Sequence, residues 1–134
     1  MEIDEAVKAY LASYAGLTAL TSTRIFPDKL PDGVTYPAVV YEFISEETTD
    51  TFVQPSAELT ADIFQFSAWA TTRKAADSVA RQIKKAFKNY SGLMGGSGGV
   101  TVNAVMQISK MKDMDDSTKL YRTMYDMQIW YQEV

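Results

Sequence analysis

The sequence predicts a single α+β domain over residues 1–134. It should hold a mostly antiparallel sheet with two helices packed on one face, in the order α-β-β-β-α-β-β. Three observations predict it. Two segments carry apolar residues at helical spacing. Five shorter runs alternate, or are rich in β-branched and aromatic residues, at strand length. Most neighbouring strands are parted by polar or glycine-bearing turns, which join antiparallel neighbours. Hydrophobic residues make up 46% of the 134 residues, enough for one core.

Residues 2–15 read as the first helix. Ile3, Ala6, Val7, Tyr10, Leu11 and Tyr14 fall on one arc, with Glu2, Asp4, Glu5 and Lys8 off it. The acidic first turn suits the positive end of the helix dipole, and Gly16 is the expected stop. A short extended run at 24–26 ends at Pro27. The crossing "PDKLPDGVTYP" then holds three of the four prolines, with a turn signal at Asp32-Gly33 behind Pro31. Proline fixes φ and removes a donor, so this stretch is neither helix nor central strand. Phe26, Leu30 and Tyr36 precede prolines and are biased towards extended backbone. A stiff loop of this kind loses little entropy on docking.

Residues 38–45 read as a strand. "EETTDTFVQPSAE" follows as a long, mobile hairpin tip. Leu59–Ala70 is the next strand, with Phe64, Phe66 and Ala68 on one face and Gln65, Ser67 and Trp69 on the other. Residues 72–90 form the second helix. Ala75, Ala76, Val79, Ala80, Ile83, Ala86, Phe87 and Tyr90 make its apolar arc, and Thr71 or Thr72 caps its start. "SGLMGGSGGV" reads as a flexible connection. Residues 100–111 alternate, placing Val100, Val102, Ala104, Met106 and Ile108 on one face. After the polar turn "KDMDDST" comes the last strand, 120–134. Tyr121, Tyr125, Met127, Ile129 and Tyr131 share one face and Trp130 lies on the other.

The chain contains neither cysteine nor histidine, which removes disulfides, thiolate or His-assisted nucleophiles and the commonest metal ligands. The net charge of -4 gives no general attraction to nucleic acid or anionic lipid. No apolar run approaches the roughly 20 residues that span a bilayer, so no membrane partner is expected. The acidic "MEIDEAVKAY" start is unlike a signal peptide, which points to cytoplasmic synthesis. Gly92 to Gly99 lacks Walker and dinucleotide spacing. "DMDDSTKLYRTM" opens like a calcium loop at Asp113 and Asp115, but has Thr118 where glycine is needed and Met124 where glutamate is. Glu46, Glu47 and Asp50 sit among threonines as a solvated loop rather than an acid–base pair. No catalytic residue, metal or cofactor is predicted, and the chain is not expected to be an enzyme.

Two features point to binding instead. Arg73, Lys74, Arg81, Lys84, Lys85 and Lys88 form a basic arc on the second helix, interrupted by Asp77. Such an arc is a solvated face, a surface for an acidic protein, or a phosphate contact. The last leaves a small nucleic-acid-binding module using helix 72–90 as an alternative function. Aromatics on both faces of the last strand exceed what one helix layer covers, so self-association and core packing both remain open there.

The succession "GLTALTSTRIFPDKLPDGVTYPAVVYEF", then "FQFSAWATTRKAADSVARQIKKAF", resembles the tail completion or tail terminator proteins of long-tailed bacteriophages and prophages. The likeness rests on the Arg-Ile-Phe-Pro run at 24–27, the Pro-Ala-Val-Val-Tyr run at 37–41 and the Trp-Ala strand end before the long helix. It covers residues 3–90; the rest matches as a strand pair after a glycine-rich loop. The resemblance implies a structural virion protein made in the host cytoplasm and placed at the tail–head junction. It implies a hexameric ring that caps the tail tube and stops its polymerisation. The implied partners are other copies of itself, the major tail tube protein, the head-completion or connector protein, and phage DNA passing through the lumen. Candidate assembly contacts are Phe52, Val53 and Gln54 in the first loop, Leu93 and Met94 in the second, and Tyr125 and Trp130 on the last strand.

Overall fold

Three helices pack on one face of a six-stranded sheet in the computed structural model, which describes residues 1–48 and 59–132. The first helix, α1 (Ile3–Ser13), buries Ile3, Ala6, Val7 and Leu11. The Glu5 carboxylate accepts the Glu2 backbone N–H at 3.4 Å at its start. The helix stops at Tyr14, not at Gly16. Tyr14 takes an extended conformation and a second helix, α2 (Ala15–Thr21), begins at once. Its sequence, with glycine and two β-branched threonines, has weak helical propensity. Packing makes it helical: Leu17 and Thr21 are fully buried. Gly16 lies inside this helix, where a Cβ would run into the Gln82 side chain and lie 3.0 Å from the Tyr14 ring.

Strand β1 (Ile25–Pro27) pairs in parallel with β2 (Ala38–Thr48). The predicted order assumed antiparallel neighbours. The proline crossing overturns this for the first pair, because its ten residues carry the chain back to the start of β1, close to the dozen that a parallel connection needs. Arg24 closes the crossing by donating to the Pro37 carbonyl at 2.9 Å and the Leu20 carbonyl at 3.3 Å. Gly33 turns at φ 72°, a conformation other residues resist, and the Tyr36–Pro37 peptide is cis. Strand β2 runs past 45 to Thr48. The proposed hairpin tip that follows, with Phe52, Val53, Gln54 and Pro55, lies outside the described residues.

Strand β3 (Leu59–Ala70) holds the bounds and the alternation expected, with Phe64, Phe66 and Ala68 in the core. Thr72 caps α3 (Arg73–Phe87), accepting the Ala75 N–H at 3.1 Å. This helix buries Ala76, Val79, Ala80, Ile83, Ala86 and Phe87. The Tyr10 hydroxyl donates to the Ala86 carbonyl and its ring lies 5.5 Å from Phe87, joining α1 to α3.

The glycine-rich stretch is not a flexible connection. It forms strand β4 (Gly92–Met94) and a tight hairpin into β5 (Val100–Asp115). A Cβ on Gly99 would overlap the Met94 carbonyl, and one on Gly95 would meet Ala6 of α1 at 3.1 Å. Strand β5 also runs four residues beyond the predicted 111, because Asp113 stays in register with Arg122 on β6 (Leu120–Gln132). The remaining turn is 116–119, where Asp115 accepts from the Ser117 N–H and hydroxyl. Bulges at Asn103 and Ile108 break the expected single face of β5. Val105, rather than Ala104, therefore packs against the core. The sheet order is β1-β2-β3-β6-β5-β4, antiparallel except for its first pair. The described residues are thus α+β, with three helices instead of two, six strands instead of five, and a mixed sheet.

Candidate assembly interface

The sheet's register places side chains in rows that cross four strands. On the face away from the helices, one row runs Ala38, Trp69, Arg122, Asp113. Arg122 pairs with Asp113 and its guanidinium lies 4.9 Å from the Trp69 ring centre. The hydrogen bonds from Arg122 hold the Asp113 carboxyl below its ordinary range, and the same bonds raise Arg122. A second row runs Glu42, Gln65, Asp126, Ser109, in which Asp126 accepts from Gln65 and Ser109, each at 3.1 Å. This face is therefore fixed by polar ladders across neighbouring strands.

The basic arc of α3 divides into two parts. Arg73 is engaged, donating to Arg122, Thr123 and Asp113 oxygens and stacking 5.1 Å from Tyr121. Asp77 accepts from Thr123 at 2.8 Å and pairs with Lys112 at 3.1 Å. Burial works against its charge, but these bonds prevail and lower its pKa. Lys74, Arg81, Lys84, Lys85 and Lys88 are exposed. Lys84 and Lys88 line a groove of about 260 Å³ between the end of α3 and β5, with Phe87, Val105, Met106, Gln107 and Met127. A second groove lies between α2 and α3, lined by Leu20, Pro37, Lys74 and Val79.

Of the predicted contact residues, Met94 and Tyr125 point into the core and present no surface. Leu93 is 56% exposed and Trp130 half-buried. The two do not form one cluster, since Leu93 pairs with Thr101 on one edge and Trp130 sits between β3 and β5. Phe52, Val53 and Gln54 lie outside the described residues.

Sequence reasoning missed the open sheet edges. Strand β1 covers β2 only at residues 39–41, and β4 covers β5 only at 100–102. Beyond them Phe43 is 51% and Met106 59% exposed, with Ile44, Ile108, Met111 and Met114 also exposed. The signal was present in "YEFISE" and "AVMQIS", where apolar residues stop alternating because a bulge intervenes. Among the described residues no cluster of acidic side chains could hold a metal ion, and no helix is long and apolar enough to cross a membrane.

The fold recurs in solved structures. A chain in the virion of a native gene transfer agent particle is 15% identical, with 98% of this chain and 95% of that chain covered at a TM-score of 0.70. A second solved protein is 13% identical, covering 100% of this chain and 98% of its own at a TM-score of 0.55. No curated protein sequence matches. The family described as tail completion protein gp17 matches over residues 5–132, which spans the first helix through the last strand. The chain belongs to the tail completion protein gp17 family.

Proposed function

We propose that this chain caps the end of a phage tail tube as a closed ring of about six subunits, stops tube growth and forms the joint to the head connector, with DNA passing through the lumen. Family membership supports a structural role in the tail. The observation that carries the ring is the sheet itself, open on both sides and apolar where it is open. Exposed apolar edges are a liability in a free protein and an asset in an assembling one. The role is contact rather than chemistry. Leu93 and Trp130 are proposed contacts with neighbouring subunits or the tube, and the exposed lysines of α3 serve an acidic protein surface.

The test is assembly without the chain. Tails formed in its absence should exceed their normal length and fail to join heads, and added purified protein should restore both, as scored by electron microscopy. Normal tails joined to heads in its absence would sink the reading.

A further inference from the structure

The two open edges match each other. On β2 the uncovered residues begin at 42, and on β5 they run from 103 to 115. Their heights follow from the register. Phe43 is level with Phe64, Met127 and Gln107 across the sheet. Ser45 is level with Met106, and Glu46 with Val105. Thus the exposed apolar part of one edge lies at the same height as that of the other.

Charge marks the same segments. The lower part of the β5 edge carries Lys110, Lys112, Asp113 and Asp115, the usual guard against edge pairing. Residues 104–108, "AVMQI", carry no charge. On β2, Phe43, Ile44 and Ser45 are uncharged between Glu42 and Glu46.

Direction and face agree as well. Each step from β2 to β3, β6 and β5 is antiparallel, so β2 and β5 run oppositely. A neighbour generated by rotation about an axis along the strands keeps that relation, and its β2 meets this β5 as an antiparallel pair. Phe43 and Glu46 share the helix-side face with Gln107 and Val105, and the groove at the end of α3 opens beside those two residues. The groove offers Phe87, Val105 and Met127 to an aromatic ring, and Lys84 and Lys88 to a carboxylate.

We infer that a second copy of this chain docks head to tail, residues 42–46 of its β2 lying along 105–109 of β5 and the pair ending where its β1 stands beside 39–41, its Phe43 seated in the α3–β5 groove and its Glu46 facing Lys84 and Lys88. This rests on the ring reading and specifies the joint between subunits. The contact is heterologous, so it repeats until rotation closes it.

The test uses the absence of natural cysteine. In the full chain, Ser45→Cys and Met106→Cys together place thiols level on adjoining strands, at Cα separations of about 5 Å that suit a disulfide. Oxidised on tail tubes, the double variant should give a covalent ladder that ends at the ring's size, while either single variant stays uncross-linked. Phe43→Ala and Glu46→Lys should each weaken subunit association at least ~10-fold, and Lys84→Glu with Lys88→Glu should rescue Glu46→Lys. Rings seen by native mass spectrometry without cross-links overturn this joint and leave the ring standing. Efficient cross-linking of Met106→Cys alone means β5 meets β5 and also overturns it. Absence of any ring removes both.

Discussion

The Tyr131 hydroxyl donates to the Asp62 carboxylate at 2.9 Å across the β3–β6 pair, within the buried helix-side face. A buried carboxylate needs such a donor, since burial without hydrogen bonds is costly. Tyr131→Phe keeps the ring and removes the donor. It should cost about 0.5–1.5 kcal/mol, the net worth of an intramolecular hydrogen bond. Urea unfolding monitored by circular dichroism measures this as a lowered midpoint at unchanged slope.

Glycines in the β4–β5 hairpin should be stricter than the one in the crossing. A Cβ on Gly99 meets the Met94 carbonyl, and backbone cannot swing aside. Gly99→Ala should cost about 2–4 kcal/mol, in the range of strained or overpacked positions. Gly33 has open space around it and only its φ of 72° to protect, so Gly33→Ala should cost about 1 kcal/mol. Thermal denaturation of the two variants should rank them in that order.

Acid should loosen the far end of the sheet first. Arg122 holds the Asp113 carboxyl below its ordinary value in the folded state. A depressed folded pKa adds stability that is complete above about pH 4 and is lost as pH falls through the folded value. Asp113→Asn should therefore flatten the acid limb of a stability–pH curve and leave the neutral arm parallel to wild type. An acid limb identical to wild type would show that the pair contributes nothing.

The proline crossing should matter more to assembly than to folding. Arg24 ties its ends, but residues 29–35 are mostly exposed and add little to the core. Replacing residues 29–35 by Gly/Ser should lower the unfolding midpoint slightly and weaken ring formation strongly, because a flexible loop loses more entropy on docking. Equal assembly would retire a docking role for this loop.

Much of the fold was legible because its signals are local. The arc on residues 73–87 and the alternation from Phe64 to Ala68 read directly into α3 and β3. What was not legible depended on distant partners. The α2 sequence is helical because Leu17 and Thr21 have somewhere to be buried, and Gly16 is small because Gln82 stands beside it. The glycines at 95 and 99 look loose in sequence and are packed in space. The strand face of β5 switched at Asn103, a bulge that alternation alone does not mark. Of the candidate contacts, Met94 on the glycine-rich loop and Tyr125 on the last strand are of types that cores and interfaces share, and both lie in the core. The edge residues Phe43 and Met106 gained meaning only once the register set Phe43 level with Gln107 and Ser45 level with Met106.

Cryo-electron microscopy of tail ends can see both the ring and the joints between its subunits. The images should show a closed ring of about six copies of this chain on the tube's head-proximal end, with the sheets of adjacent subunits joined edge to edge. The chain found elsewhere in the particle, or a tail end closed by a different protein, would contradict it.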